Sequence, residues 1–105
     1  MVVGEVAALT LSEFKASLKK GKPPASLAPA LAALWWAGKD EWERAHRIVM
    51  NEGGADCAWV HAYLHRRESD VDNAHYWYRQ AGRSASRGSF PDEWTNIAAT
   101  LLGAG

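Results

Sequence analysis

Apolar positions recur along this chain at spacings of three and four, the period of an amphipathic helix, and strict alternation is absent. Leu11, Phe14 and Leu18 share one face of a short helix ending near Lys20. It opens on Thr10-Leu11-Ser12-Glu13, which has the spacing of a capping box. Gly21-Lys22-Pro23-Pro24 stops it. Ser26 is the expected cap of a second helix over 27–38, with Pro29 in its first turn. Its Ala30–Ala37 segment is apolar nearly all round, which predicts a central position. A third helix carries the stripe Trp42, Ala45 and Val49, with Asp40 as expected cap, and Gly53-Gly54 ends it. Asp56 is the expected cap of a fourth, over 57–68, with the seam Cys57, Val60 and Leu64. Ala58 and Ala62 give it a second, flat face, again the mark of a central element. Asp70 opens a fifth helix over 71–81, and Gly82 closes it. After a Gly-, Ser- and Arg-rich loop, Ser89 and Pro91 open a sixth with Trp94, Ile97, Ala98, Leu101 and Leu102 on its apolar side. No Asn-Gly or Asp-Gly turn supports a hairpin of strands. The expected fold is all-α: five or six short helices in one domain over 23–105, preceded by an arm over 1–22.

Two stretches are alike. Each has a helix, a tight break, an acidic residue and then an Ala-His pair. Ala45-His46 aligns with Ala74-His75 without a gap, while Asp40-Glu41 falls on Ser69-Asp70 only approximately. The segment Leu64–Gly82, with Ala74, Trp77-Tyr78 and Ala81, resembles the turn and second helix of a tetratricopeptide or Sel1-like repeat. The resemblance implies helical hairpins and a role in recognising a protein or peptide. The break holds Glu68-Ser69 where that family usually has glycine, and the period is shorter than the roughly 34 residues of a tetratricopeptide repeat. A compact bundle is therefore expected, not a superhelix. The block Ala58–Glu68 also resembles short bacterial proteins that bring no activity with them.

Composition narrows the function classes. With 12 basic and 12 acidic residues the formal charge is zero, against the basic excess of a duplex-DNA binder. One cysteine, Cys57, excludes an intrachain disulfide and any multi-cysteine zinc site. No apolar run approaches a membrane span, and the first residues lack a basic signal-peptide region, so a soluble cytoplasmic protein is expected.

Six tryptophans are the compositional oddity. Most are expected in the core. Trp59 lies off the Cys57/Leu64 seam and, with Tyr63 and Arg66, is a candidate contact surface, because interfaces enrich tryptophan, tyrosine and arginine. Tyr76 is a second candidate. The partner is a protein, a peptide or a second copy of the chain; nucleic acid and membrane are not expected.

The sharpest chemical constellation is His61, His65 and Glu68, at i, i+4 and i+7 of a helix. Two imidazoles and a carboxylate on one sector form a usable shell for zinc or a similar ion. The same residues serve equally as caps and hydrogen-bond partners of neighbouring helices, and in that reading no cofactor is needed. His46 and His75 hold equivalent positions in the repeat and, if the hairpins stack, line one groove with His61 or His65. No phosphate loop or nucleophile elbow is present, so a catalytic role has no residue to rest on.

Overall fold

The computed structural model describes residues 9–103. Residues 1–8, the start of the expected arm, and residues 104–105 lie outside the described residues. The fold is all-α. Six helices follow one another: α1 (Leu11–Ser17), α2 (Pro29–Gly38), α3 (Trp42–Asn51), α4 (Ala55–Arg67), α5 (Val71–Ala81) and α6 (Phe90–Gly103). No strand occurs among the described residues.

α2 with α3, and α4 with α5, form two antiparallel hairpins, and α3 packs against α4 to join them. α6 crosses α2 and α4, and α1 lies on α6. α4 is the central rod: every residue from Cys57 to Leu64 is buried. Ala33, Ala37, Ala45, Ala58, Ala62 and Ala74 are the small residues at which the helix axes approach.

The two hairpins turn in the same way, 29 residues apart. Lys39 and Glu68 end their helices at φ −92° with ψ 5° and 6°. Asp40 and Ser69 follow in the left-handed region, both at φ 62°. Glu41 and Asp70 then open the next helices. The Glu41 amide donates to Trp36 O and the Asp70 amide to the counterpart carbonyl, His65 O, each at 2.9 Å. These six-residue closures satisfy carbonyls that a helix end leaves free. The buried positions repeat too: Leu31/Val60, Ala33/Ala62, Leu34/Tyr63, Trp35/Leu64, Ala45/Ala74 and Val49/Tyr78.

Three expected caps are corrected. Ser26 occupies a turn at φ 64°, and α2 starts at Pro29, whose missing amide hydrogen costs nothing at that position. Asp40 is spent on the left-handed turn, leaving Glu41 as the residue before α3. Gly54, at φ 102°, replaces Asp56 as the cap of α4, and Asp56 sits in the first turn. The Thr10 box forms as expected: Thr10 Oγ1 accepts from the Glu13 amide and Glu13 Oε1 from the Thr10 amide. α1 ends at Ser17 instead of near Lys20, because Ser17 Oγ accepts from Trp35 Nε1 at 2.9 Å and Lys39 Nζ takes the Leu18 and Lys20 carbonyls. Phe14 stacks on Trp94, so α1 belongs to the core of the helical body.

α6 is pinned from three sides. Trp94 Nε1 donates to Leu34 O at 2.8 Å. The buried Glu93 carboxylate accepts from Arg66 at 2.8 Å and from the Tyr78 hydroxyl. A buried carboxylate is tolerated only with such partners. No helix among the described residues is long and apolar enough to cross a membrane.

Candidate metal centre

Three of the four histidines meet at the joint between the hairpins. His46 comes from α3, and His61 and His65 from α4, one turn apart on the side that faces α3. His61 Nε2 lies 3.1 Å from His46 Nε2. The three side chains each offer a nitrogen, and these nitrogens all lie within 4.8 Å of one another. The His61 and His65 rings stack at 4.9 Å, and the His46 ring stands edge-on to both.

Two tryptophans hold the group in place. Trp42, one turn before His46, stacks on its ring at 4.5 Å and donates from Nε1 to Leu64 O at 2.8 Å. Trp77 on α5 stacks on His61 at 3.9 Å. The imidazoles are thereby wedged between indole faces, with little rotational freedom. Asp70 Oδ2 stands 3.8 Å from His65 Nδ1, so a carboxylate faces the ring nitrogen of His65 on the outer side.

Burial sets the protonation state. His61 is 2% exposed, and loss of water pushes its pKa down to about 4, helped by its histidine neighbours. His46 and His65 are also lowered, chiefly by burial; Glu43 opposes this at His46, and Asp70 and Glu68 oppose it at His65. At neutral pH the three imidazoles are neutral, each with one nitrogen lone pair. The 3.1 Å contact then needs one Nε2 to carry the hydrogen and the other to accept it.

Glu68, the third member of the set expected from sequence, is not in the group. It is the C-cap residue of α4, exposed, and two turns from His61, about 10 Å along the axis at 1.5 Å per residue. His46 takes its place, from another helix. His75, expected beside His46, is exposed on α5. The expected contact surface is corrected likewise. Trp59 is 4% exposed because Arg83 lies over its ring at 3.8 Å. Tyr63 is 2% exposed in the core. Arg66 is committed to Glu93 and to Gly88 O. Tyr76 alone is well exposed, at 44%.

Sequence reasoning missed the roles of Trp42 and Trp77 as walls of the histidine group. The i, i+4 spacing of Trp42 and His46 was the available signal. For Trp77 there was none, because its contact with His61 depends on how α5 packs. Among the described residues no fourth histidine, cysteine or carboxylate joins the group. Comparisons with protein families, curated proteins and solved structures find no match for this chain.

Proposed function

We propose that the chain binds a divalent transition-metal ion of the zinc class at His46, His61 and His65. The observation that carries this reading is the convergence of three neutral imidazoles from two hairpins on one point. Zinc–nitrogen bonds of about 2.0–2.1 Å in a tetrahedron put ligand nitrogens about 3.3 Å apart, close to the 3.1 Å between His46 and His61. Burial has already removed the competing proton, so the ligands need little deprotonation. Binding requires the proton shared between the two Nε2 atoms to move to the outer ring nitrogen. At His65 the Asp70 carboxylate faces Nδ1 and favours the tautomer with Nε2 free.

Three nitrogens leave a fourth position for water or an added ligand, the donor set of an open site rather than a closed structural one. The ion also ties α3 to α4, and so clamps the two hairpins together. A recognition role for a protein, a peptide or a second copy has less support: of the four residues expected to form its surface, only Tyr76 is well exposed.

The test is titration of the metal-free protein with Co2+ and Zn2+. Stoichiometric binding gives a cobalt visible spectrum of tetrahedral intensity, quenched Trp42/Trp77 fluorescence and a higher melting temperature. At an ion concentration of about 100 times Kd the gain is roughly 2.7 kcal/mol. His46→Ala, His61→Ala and His65→Ala each abolish the cobalt spectrum, and His75→Ala leaves it intact. A folded wild-type protein showing no spectrum and no thermal response to either ion overturns the proposal.

A further inference from the structure

A second site stands apart from the histidines, where α1, the end of α2, the end of α4 and the start of α6 meet. They enclose an open cavity of about 540 Å³, within the roughly 300–1,000 Å³ range of small-molecule sites. Its floor is apolar, made by Leu18, Gly38, Phe90 and Trp94. Its polar end is formed by Tyr63, Arg67 and Asp40, and with Lys15 in the lining the cations outnumber the carboxylate two to one.

One atom at that end is incomplete. Tyr63, 2% exposed, lines the cavity, and its hydroxyl accepts a hydrogen bond from Arg67 at 3.1 Å. Among the described residues nothing accepts the hydroxyl's own hydrogen. Burial raises the Tyr63 pKa, so that hydrogen stays in place. A buried donor without an acceptor is costly unless a ligand or water supplies one. Arg67 is also incompletely used. Its other guanidinium nitrogen reaches Asp40 Oδ1 at 3.3 Å, and the Asp40 side chain is 82% exposed, so this pair is weak and easily exchanged.

From these contacts we infer that the cavity binds a small organic carboxylate with an aromatic or branched apolar body. One carboxylate oxygen accepts from Tyr63 Oη and the other from Arg67, in place of Asp40, while Lys15 adds long-range attraction. The body lies on Trp94 and Phe90. Gly38 lets the floor pack: Leu18 and Trp94 lie directly on its backbone, and a Cβ there would stand 3.1 Å from their side-chain carbons. The site is independent of any metal at the histidines.

The experiment is an amide-resolved NMR titration of the full chain with 3-phenylpropanoate and, separately, with the neutral 3-phenylpropanamide. The acid is expected to shift the signals of Gly38, Tyr63, Arg67, Thr95 and the Trp94 indole saturably, with Kd of about 1 mM or tighter and about tenfold below that of the amide. Arg67→Gln removes the acid-over-amide preference, and Tyr63→Phe lowers it by weakening the acid more than the amide. Thr95→Trp, which fills the mouth, removes both. Absence of saturable shifts at these residues, equal binding of acid and amide by the wild-type protein, or an unaltered preference in a folded Tyr63→Phe variant overturns the inference.

Discussion

The two hairpins are the same device used for two purposes. Their turns share one backbone path, and seven pairs of buried positions match at the constant offset, Ala30/Trp59 among them. They differ where one hairpin meets the next. α4 carries His61 and His65 at the positions where α2 carries Ala32 and Trp36. α3 ends its contact with His46 packed against α4, whereas the equivalent His75 on α5 faces outward. α5 packs on α4, and α6 crosses elsewhere, touching α5 through Tyr78 and Glu93. The lesson is that the repeat places a histidine on the outer face of each second helix, and only the neighbour decides what it becomes. With α4 beside it, the histidine joins a neutral triad. Without a following helix it remains a solvated side chain.

The largest way to break this comparison is to truncate the first residue of each second helix. Trp42 covers His46 and hydrogen-bonds Leu64 O; its counterpart Val71 is 56% exposed. Trp42→Ala is expected to cost about 3 kcal/mol, because it strips the half-buried indole from the His46 ring and removes the hydrogen bond to Leu64 O. Val71→Ala is expected to fall within about 0.5 kcal/mol of wild type. Urea unfolding of the two variants checks the contrast. Equal costs would mean that the two positions are not differently buried.

Next in size is pH. His61 holds a pKa of about 4 in the folded state against 6.5 when unfolded. The unfolded chain therefore takes up a proton that the folded one refuses. Stability is at its full value above pH 6.5, falls as the pH drops through 6.5, and stops falling near 4. At 1.36 kcal/mol per pKa unit the loss is on the order of 3 kcal/mol. His46 and His65 add to it in the same direction. Denaturant unfolding of metal-free protein at stepped pH should show this slope, and His61→Gln should flatten it. His75→Gln should leave the slope unchanged; a change there would erase the distinction between the two repeat positions.

The helices were legible in the sequence because their signals are local: periods of three and four, a Thr-Glu box, glycines and prolines at the ends. The Ala-His repeat was legible for the same reason. The site was half legible. His61 and His65 share a helix, so spacing alone puts them on one face. The third ligand comes from another helix, and spacing along α4 pointed instead to Glu68, which the helix end carries out of range. Trp59, Tyr63 and Arg66 were expected outside because they lie off the first seam of α4. That helix has packing partners on several sides, α2, α3, α5 and α6, so no face of it is left for a partner between Cys57 and Leu64. The left-handed turn residues were hidden by their identity, since aspartate and serine also read as helix caps.

Those turn residues give the smallest and cleanest comparison. Asp40 and Ser69 both hold φ 62°, a region in which a side chain costs roughly 1–2 kcal/mol and glycine costs none of that strain. Glycine gives part of the gain back, because it loses more backbone freedom on folding. Ser69→Gly should therefore raise stability by about 0.5–1 kcal/mol. Ser69 is exposed, and its side chain has no hydrogen-bond partner among the described residues to lose. Asp40→Gly gains less relief, because aspartate tolerates the left-handed region better, and it gives up the pair with Arg67, a solvent-exposed contact worth about 0–1 kcal/mol. Its net gain should be smaller. The difference between the two melting temperatures reports the Asp40–Arg67 pair together with the easier access of aspartate to the left-handed region. If Asp40→Gly proved the more stabilising of the two, the cost of ordering the Asp40 and Arg67 side chains would exceed their attraction.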